Sequence, residues 1–544
     1  MPFALLKRRA MRPAVAVAAL MLALGAALIN RLDAANDDAN YPAASLTAPT
    51  DPAALIARGK YVTDAADCMP CHTGPNHAPF SGGLVLNTPF GGLASPNITP
   101  DKATGIGNWT DKQFYDALHH GISPGRSYLV FPKYLYPAMP FTSYTKLSYA
   151  DVLAIKAYLF SLAPVTVAPT PNSMGFPFNQ RPTMLGWRIL FFRAGPMHMD
   201  PAWDDHTKNG AYLTEALGHC AECHTPRNIL GAMKNGRWLA GAPIDAFYAP
   251  NITSDKTYGV GGWNQADLVS YLHDDGNMVK GSPYGPMDEV VKYSLSRLPA
   301  QDVTDIANYL QTATKPLQTP PSPAVPGAAD SVARGAKVYA ANCAACHGQT
   351  GGGMNMMIPN LAGNSSVTAA EPFNTIGAVL NGLPPWKTVA MPSFAASLSD
   401  QQIADVTNYV RTAFGNEGTA NATLAQVMDL RGIATVPPWA DKQADQLGCP
   451  RITSNGAAGT VADPGGNLLS IYQGVTPETM PNRTRALIAT VRGNNSSISD
   501  ADLTDTLAAA YCPVVAHTPG MSLSAKRAAL KSFIENIGPT VASH

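Results

Sequence analysis

The sequence contains three copies of the string Cys-x-x-Cys-His, and these copies constrain the fold and chemistry of the chain more than any other feature. They begin at Cys68, Cys220 and Cys343, so they lie 152 and 123 residues apart. The chain has eight cysteines and twelve histidines among 544 residues, and random placement would give about 0.003 copies. One unit, about the size of a small domain, is therefore used three times.

Other segments recur together with the motifs. Residues 96–109 and 250–263 share the string PNIT and a common pattern of glycines before a tryptophan. An amphipathic helix with a tyrosine near its end is predicted at 147–159, 298–310 and 398–410. A glycine and an aromatic residue precede each motif and would let two helices approach closely; the pairs are Gly59 with Tyr61, Gly210 with Tyr212, and Gly335 with Tyr339. Each unit is predicted as helix, motif, irregular loop and closing helix.

A Cys-x-x-Cys pair can serve three chemistries. A structural zinc ion needs four ligands, and no unit offers a second cysteine pair or paired histidines beside its motif. A reactive dithiol belongs near a βαβ pattern, which the sequence does not show. Covalent haem remains, because two cysteines form thioethers with the vinyl groups and the adjacent histidine binds the iron.

The sequence also offers a second axial ligand for each iron. Met139 is the single methionine between His72 and the end of the first closing helix. The same placement, the last methionine before the closing helix, selects Met287 and Met391, and Met278 is the alternative to Met287. Methionine and histidine together raise the haem potential and leave no open coordination position, which favours electron transfer. Ligation by a second histidine is not expected from residues at helix ends, where histidine favours the helix dipole; these are His119, His120 and His273.

The N-terminal segment 1–36 is predicted to be a signal peptide or a membrane anchor. Four basic residues precede an apolar run at 14–29, which is typical of a secretory signal. Sixteen helical residues reach about 24 Å, short of the roughly 30 Å hydrocarbon core. Arg31 and Asp33 near the expected cleavage region favour retention. The basic residues direct the rest of the chain outward, so we expect it on the periplasmic side of the inner membrane, anchored by this segment or peripherally attached.

Composition and linkers bound the remaining organisation. The formal net charge is zero, which gives no reason to expect a nucleic-acid partner. In the tail, Cys449 and Cys512 are predicted to form a disulfide, with two buried thiols as the alternative. The predicted domains and linkers are 51–165 and 201–314 as the first two haem domains with 166–200 between them, 315–328 as a Pro-rich linker, 329–416 as the third haem domain, and 417–544 as an extension of unknown role.

With three motifs, the methionines in YPAMPF and AMPSF, and the doubled PNIT segment, the chain resembles the triheme cytochrome c subunits of membrane-bound periplasmic dehydrogenases of acetic acid bacteria. The resemblance covers about residues 50–416. It implies a mostly α fold with three tandem class I cytochrome c-like haem domains plus a C-terminal extension, and three covalently bound haem c groups. The implied cofactor residues are Cys68, Cys71, His72 and Met139 for the first haem; Cys220, Cys223, His224 and Met287 for the second; and Cys343, Cys346, His347 and Met391 for the third.

The resemblance also implies a role and partners. Such a chain is not an enzyme by itself and holds no catalytic residue; it takes electrons from a dehydrogenase catalytic subunit and passes them to ubiquinone at the membrane. The string FPFNQRPTMLGWRILFF is closer to cytochromes that accompany molybdopterin aldehyde dehydrogenases, which have a small iron–sulfur subunit, than to those of pyrroloquinoline quinone alcohol dehydrogenases. The family further implies that the Pro96, Pro250 and Pro359 carbonyls orient the motif histidines. A self-contained haem peroxidase is the rival, and it would require an open iron site.

Overall fold

A computed structural model of the chain confirms the prediction of a mostly helical fold. The residues that the structure describes are 47–432, with gaps at 76, 129–130, 245, 355–356, 384–389 and 396, followed by 451–453, 460–462 and 521–542, with isolated residues at 42, 45 and between 484 and 515. The predicted N-terminal segment 1–36 and Cys449 lie outside the described residues. No helix in the described part of the chain is both long and apolar enough to span a bilayer.

Most of the described strands lie in the first half of the chain, and helices follow one another from residue 265 to residue 432. The helices are α1 Pro52–Ala65, α2 Cys68–Cys71, α3 Asp111–His120, α4 Phe141–Tyr144, α5 Tyr149–Ser161, α6 Met184–Phe191, α7 Asp205–Tyr212, α8 Ala221–His224, α9 Gln265–His273, α10 Pro286–Tyr293, α11 Ala300–Thr312, α12 Ala328–Asn342, α13 Ala344–His347, α14 Ser365–Thr368, α15 Phe373–Asn381, α16 Asp400–Thr412, α17 Leu424–Gly432 and α18 Leu523–Ala542. The strands are β1 Val85–Thr88, β2 Gly91–Ala94, β3 Ile122–Tyr128, β4 Phe131–Tyr134, β5 Ser173–Met174, β6 Ala242–Ile244, β7 Phe247–Ala249, β8 Arg451–Thr453 and β9 Thr460–Ala462.

The strands form small sheets in segments that the sequence analysis treated as irregular loops. Strands β1, β2 and β5 form an antiparallel sheet in that order, with Val85 opposite Ala94 and Gly91 opposite Met174. Strands β3 with β4, β6 with β7, and β8 with β9 form two-stranded sheets. Strands this short carry too few alternating residues for their period to be read from sequence.

Three helix pairs repeat the same close crossing. In each pair a glycine of the first helix lies against a backbone carbonyl of the closing helix, and a Cβ atom at that glycine would lie 2.0 Å from the carbonyl oxygen. Such a distance excludes any side chain, so these glycines set the separation of the helices. The contacts are Gly59 with Ala154 (α1 and α5), Gly210 with Asp305 (α7 and α11), and Gly335 with Asp405 (α12 and α16). The predicted close approach of two helices in every unit is confirmed.

Side chains and a glycine cap the ends of two helices. Thr110 and Gln113 form a capping box at the start of α3, and Gly121 ends that helix with φ 59°. Ser399 and Gln402 form a capping box at the start of α16. The three closing helices, α5, α11 and α16, lie where the repeated sequence pattern predicts them.

The doubled PNIT segment ties each loop to the end of its closing helix. Asn97 Nδ2 donates to the carbonyl of Val165, which follows α5, while Asn97 Oδ1 accepts from Thr99. Asn251 makes the equivalent bonds to the carbonyl of Leu317 and to Thr253. The repeated string is therefore a repeated tether, which explains why both units keep the same polar residues.

The second repeat departs locally from the first. After α7, residues Leu213–Leu217 form a π-helical turn before the motif begins. Gly210 precedes Cys220 by ten residues, whereas Gly59 precedes Cys68 by nine. A π-turn accommodates one extra residue within a helix, so both ends of the segment keep their places.

The described contacts group the chain into two compact units. The first contains residues up to 242, 251–265 and 292–317; the second contains 243–250, 266–291 and 318–544. The first unit thus holds the first two Cys-x-x-Cys-His motifs, and the second holds the third motif together with the segment that carries Met278 and Met287. The division into three haem domains stays a prediction.

Candidate functional site

Each motif folds into one helical turn. The backbone N–H of the motif histidine donates to the carbonyl of the first cysteine in all three copies, at 3.0, 2.9 and 2.9 Å; the pairs are His72 with Cys68, His224 with Cys220, and His347 with Cys343. Residues three and four apart lie on the same side of a helical turn. The two sulfurs and the imidazole are therefore presented together, as attachment of one macrocycle with an iron ligand requires.

None of the six motif cysteines forms a disulfide, and their pattern of exposure is the same in each copy. The first cysteine is half-buried and the second is exposed. Burial raises the pKa of the first thiol, to about 12 for Cys220 and about 11 for Cys343. Among the described residues, no group of three or more His, Cys, Asp or Glu side chains is arranged to hold a metal ion. The donor set is thus a thiol pair and one imidazole, which fits covalent haem.

The first motif histidine is oriented by a backbone carbonyl. His72 is buried, and its Nδ1 lies 2.8 Å from the oxygen of Pro96. Because a carbonyl only accepts, Nδ1 carries the hydrogen and Nε2 keeps a free lone pair. Burial lowers the pKa of His72, opposed by the Pro96 hydrogen bond. This geometry agrees with the role that the family resemblance implies for Pro96.

The third motif histidine, His347, differs from His72 in its hydrogen bonding. Burial lowers the pKa of His347, and its Nδ1 has no hydrogen-bond partner among the described residues. The bond predicted from His347 to the Pro359 carbonyl is therefore not formed in this structure. His224 is buried in the second copy.

The predicted methionine ligands lie in irregular or helix-starting positions. Met139 is half-buried in a turn closed by its N–H to the Tyr136 carbonyl at 3.0 Å, immediately before α4. Met391 is half-buried and pairs with Leu383 through two backbone hydrogen bonds. Met287 is half-buried in the first turn of α10, and the carbonyl of Met278 accepts from the Asn360 N–H at 2.8 Å. All remain predicted ligands, and the choice between Met278 and Met287 stays open.

The other histidines near the first unit pack against aromatic rings. His119 is buried at the end of α3 and stacks on Tyr115 with ring centroids 4.6 Å apart. Burial and neighbouring His120 lower the pKa of His119 to about 3. The carbonyl of His120 accepts from Arg188. These packing contacts agree with the structural role predicted for the two residues.

Hydrogen bonds connect the second motif to the loop that carries Met139. Glu222 lies between the two cysteines of the second motif, and its Oε1 accepts from the Thr142 hydroxyl at 2.5 Å. Arg227 donates to the other carboxylate oxygen. Next to this contact, the Tyr144 hydroxyl donates to the Ala66 carbonyl at 2.7 Å, two residues before the first motif. The first two motifs are thus joined within one compact unit.

A second pair of contacts joins the same two repeats reciprocally. Tyr61 donates to Asp302 at 2.8 Å, and Tyr212 donates to Asp151 at 2.8 Å. Tyr61 and Tyr212 hold the same position in their repeats, and so do Asp151 and Asp302. Each repeat therefore donates through its tyrosine to the aspartate of the other. Neither these pairs nor the role of Glu222 was predicted from the sequence. The tyrosine and the aspartate recur at the same repeat positions, but this recurrence does not show which residues they contact.

A small cleft of about 220 Å³ opens beside this junction. Its walls are aromatic and cationic, formed chiefly by Trp187, Phe191, Arg193, Arg227 and Trp238. Pro137 and Thr142, which flank the loop of Met139, also line it. Ligand pockets of drug-sized molecules measure about 300 Å³ or more, so this cleft has room for a single ring-sized group.

The tail contributes one covalent feature. Cys512 is buried and disulfide-bonded. Its predicted partner Cys449 lies outside the described residues, so the pairing of the two stays a prediction.

Comparisons with known proteins give several similar chains. Residues 330–410 match the family model described as cytochrome C oxidase, cbb3-type, subunit III. The chain is 35% identical over 435 residues to the cytochrome c subunit of alcohol dehydrogenase (quinone) of Gluconacetobacter polyoxogenes, covering 74% of this chain and 91% of that protein. It is 36% identical over 407 residues to the gluconate 2-dehydrogenase cytochrome c subunit of Pantoea cypripedii, covering 70% and 91%. It is 39% identical over 381 residues to a nicotinate dehydrogenase subunit of Pseudomonas putida, covering 69% of this chain but only 31% of that protein.

Proposed function

This chain belongs to the family of dehydrogenase cytochrome c subunits, and on that premise we propose that it carries single electrons from a dehydrogenase catalytic subunit through three covalently bound haem c groups to ubiquinone. Its relatives are cytochrome subunits of dehydrogenases, so the chain is an electron-transfer subunit and not the catalytic enzyme. Covalently bound haem c follows from the same family membership. The number of haems, the acceptor and the partner are the finer parts of the proposal.

One observation carries the number three. All three motifs have the same histidine-to-cysteine backbone bond and the same order of a half-buried and an exposed thiol. These two shared features support one attachment site in each copy. Each copy would bind one haem, which exchanges one electron at a time when bound.

The chain's own residues would hold each haem in place. His72 is fixed by the Pro96 carbonyl with Nε2 free for the iron, and Met139 is the proposed sulfur ligand on the other side. His224 with Met287 and His347 with Met391 are the corresponding pairs in our proposal. Thioether sulfur favours the reduced iron and raises the potential, which suits a carrier that accepts electrons from a dehydrogenase.

The junction between the first two motifs would hold two bound haems in one compact unit. The segment of Met139 and the second motif share the hydrogen bond from Thr142 to Glu222. Because both motifs lie in the same unit, haems bound to them would not be separated by a linker.

Ubiquinone is the proposed electron acceptor, at the periplasmic side of the inner membrane. The cleft between Trp187 and Trp238 is large enough for a ring but not for a bulky ligand. Planar aromatic walls and the guanidinium groups of Arg193 and Arg227 would suit a ring that carries carbonyl oxygens. The cleft lies beside the loop of Met139, so a ring bound there would be next to the proposed ligand of the first haem.

The partner is the least constrained element. The sequence resemblance favours a molybdopterin aldehyde dehydrogenase with a small iron–sulfur subunit. The relatives described above are named for alcohol, gluconate and nicotinate, so a pyrroloquinoline quinone alcohol dehydrogenase is an equal candidate.

Purification of the chain with its partners from native membranes tests the proposal. We expect three covalent haems that the catalytic subunit reduces with its substrate and that ubiquinone reoxidises. Molybdenum and iron–sulfur clusters in the complex would identify the aldehyde type, and pyrroloquinoline quinone would identify the alcohol type. A protein that purifies alone would count against both dehydrogenase partners. Reduced haems that bind carbon monoxide readily would contradict six-coordinate irons and favour a peroxidase.

A further inference from the structure

An unusual number of large apolar side chains are exposed on one part of the first unit. Phe176 is 81% exposed, Leu190 is 64% exposed and Ile229 is 92% exposed. These residues come from the segment before α6, from α6 itself and from the loop after α8. The complete set, which we call the apolar face, is Phe176, Phe178, Ile189, Leu190, Ile229 and Leu230.

Contacts within the unit show that these residues form one continuous surface. Phe178 packs on Phe90 with ring centroids 4.5 Å apart, and a Cβ atom at Gly231 would lie 3.3 Å from the same Phe90 ring. The indole nitrogen of Trp187 donates to the Leu230 carbonyl at 2.9 Å. Phe90 therefore joins the segment of Phe178 to the loop of Leu230, and Trp187 joins that loop to α6.

The segments that build this face carry one sign of charge. Residues 121–146, 163–199 and 224–244 contain no Asp or Glu, although the whole chain has 38 acidic and 38 basic residues. They contain nine basic residues, namely Arg126, Lys133, Lys146, Arg181, Arg188, Arg193, Arg227, Lys234 and Arg237.

Among the ion pairs of the described residues, two join these cations to a carboxylate. Lys146 pairs with Glu215 and Arg227 pairs with Glu222. Arg188 donates instead to the His120 carbonyl, and Arg193 donates to the Ile189 and Phe192 carbonyls. Burial and the nearby positive charge of Arg181 lower the pKa of Lys133. The region therefore keeps a net positive charge beside the exposed apolar residues.

We propose that the apolar face is a monotopic membrane-contacting surface that binds a bilayer containing anionic phospholipids. Apolar tips that insert below the headgroups and cations that reach their phosphates are the two features of interfacial membrane binding. The α6 segment, Met184–Phe191, supplies the exposed apolar side chains of Ile189 and Leu190, and the exposed Arg193 follows two residues after the helix ends. The negatively charged phosphates of the lipid headgroups would pair with the cations of this region.

The charge pattern of the region favours a bilayer over a protein partner. Protein interfaces match charges with the opposite sign at specific points. Here single apolar side chains project next to cations spread over three segments, which a planar anionic surface satisfies without point-to-point complementarity. The proposed catalytic subunit is the competing occupant, and the test separates it.

This attachment would be independent of the apolar run at 14–29. A single weak membrane signal gives reversible binding, whereas two signals together give stable attachment. The inference rests on the proposed membrane location, but its test uses readouts that do not depend on electron transfer.

A spin label at Ile229 tests the inference in the haem-loaded full chain. The variants Ile229→Cys and, as a matched exposed control in α17, Leu424→Cys are labelled and mixed with vesicles of phosphatidylcholine and phosphatidylglycerol. We expect the label at position 229 to gain access to oxygen and lose access to a water-soluble nickel chelate, while the label at position 424 does not change. A label at 229 that stays in water on vesicle-bound protein, or that is shielded only when the catalytic subunit is added, would overturn the proposal.

Charge substitution on the face gives a second readout. The double variant Leu190→Glu with Ile229→Glu changes two exposed side chains, so we expect its haem content and fold to match those of the unmodified chain. Binding to the same vesicles should fall by about tenfold or more, and Leu424→Glu should leave it unchanged. Equal binding of the three proteins would refute the assigned face. A chain without haem or without electron transfer would contradict the proposed function instead, whatever its vesicle binding.

Discussion

The hydroxyl of Tyr212 donates a hydrogen bond to the buried carboxylate of Asp151, and the equivalent residues make the same bond with the repeats exchanged, from Tyr61 to Asp302. Asp151 also receives two hydrogen bonds from Arg58, so its charge is compensated within the protein. The first two repeats therefore stabilise each other through matching contacts and should unfold together.

Removal of the Tyr212 hydroxyl tests this coupling. Tyr212→Phe should lower the free energy of unfolding by about 1–2 kcal/mol, because a buried carboxylate loses one of its donors. Denaturant unfolding of the haem-loaded chain measures the change. Tyr258→Phe, at a half-exposed tyrosine, is the control and should have little effect; equal effects of the two substitutions would contradict a specific role of the bond.

Replacement by alanine should have opposite effects at two glycines, because Gly335 lies in a close helix crossing and Gly377 does not. Gly335→Ala should destabilise the protein by about 3 kcal/mol or more, because its methyl group would overlap the Asp405 carbonyl. Gly377→Ala in α15 meets no atom within 4 Å and should stabilise the helix by about 0.5–1 kcal/mol. Thermal unfolding of both variants provides the measurement. A tolerated alanine at position 335 would show that the crossing can widen.

The number of haems is tested by removing thiols pair by pair. Cys68→Ala with Cys71→Ala should reduce the covalent haem content from three to two. The equivalent changes at the second and third motifs should each do the same, because all three turns share one geometry. Mass measurement of the mature chain decides the count. A pair whose removal leaves the mass of attached haem unchanged would not be an attachment site.

Axial ligation by Met139 predicts a selective change in potential. Met139→His should lower the midpoint potential of one haem and leave the other two nearly unchanged, since a nitrogen ligand stabilises oxidised iron more than thioether sulfur does. A spectroscopic redox titration resolves the three transitions. Met428→His, at an exposed methionine of α17, serves as the control. No change at Met139→His would assign the ligand elsewhere.

The tether of the first PNIT loop predicts a pH dependence. Hydrogen bonds from Thr166 and Thr104 lower the pKa of Asp101 to about 2, below the value of about 3.9 in unfolded chains. A depressed carboxyl pKa contributes stability that is present above pH 3.9 and is lost as the pH falls through 2. Asp101→Asn should therefore be less stable than the unmodified chain at neutral pH, and the difference should vanish near pH 2. Unfolding curves measured across this pH range test the prediction, with the exposed Asp429→Asn as control. A stability difference between Asp101→Asn and the unmodified chain that stays constant with pH would contradict the assignment.

Much of the helical framework was predictable, because its signals repeat. The tyrosine-bearing closing helices, the capping boxes at Thr110 and Ser399, and the glycine crossings all lie where the sequence places them. The turn of each motif was also predictable, since two cysteines and a histidine at fixed spacing define it. Repetition allowed a weak local pattern to be compared with another copy of itself.

The contacts between repeats were not predictable from the same patterns. Glu222 lies inside a motif whose two middle positions vary freely, so nothing in its sequence marks it as a hydrogen-bond acceptor for Thr142. The short strands have too few residues for a period. The missing bond at His347 Nδ1 depends on the path of a loop, which local sequence does not determine. Long-range geometry, and not residue type, decides each of these cases.

The π-turn at Leu213–Leu217 lets the second copy carry one more residue than the first between its glycine crossing and its motif. In a regular helix, one extra residue would rotate every following side chain by about 100° and turn the cysteines away from the macrocycle they would bind. Wider winding over one turn takes up that residue, so the glycine crossing upstream and the attachment turn downstream keep their relation. Deleting a single residue from this turn should therefore restore ordinary winding while the second motif still takes up haem.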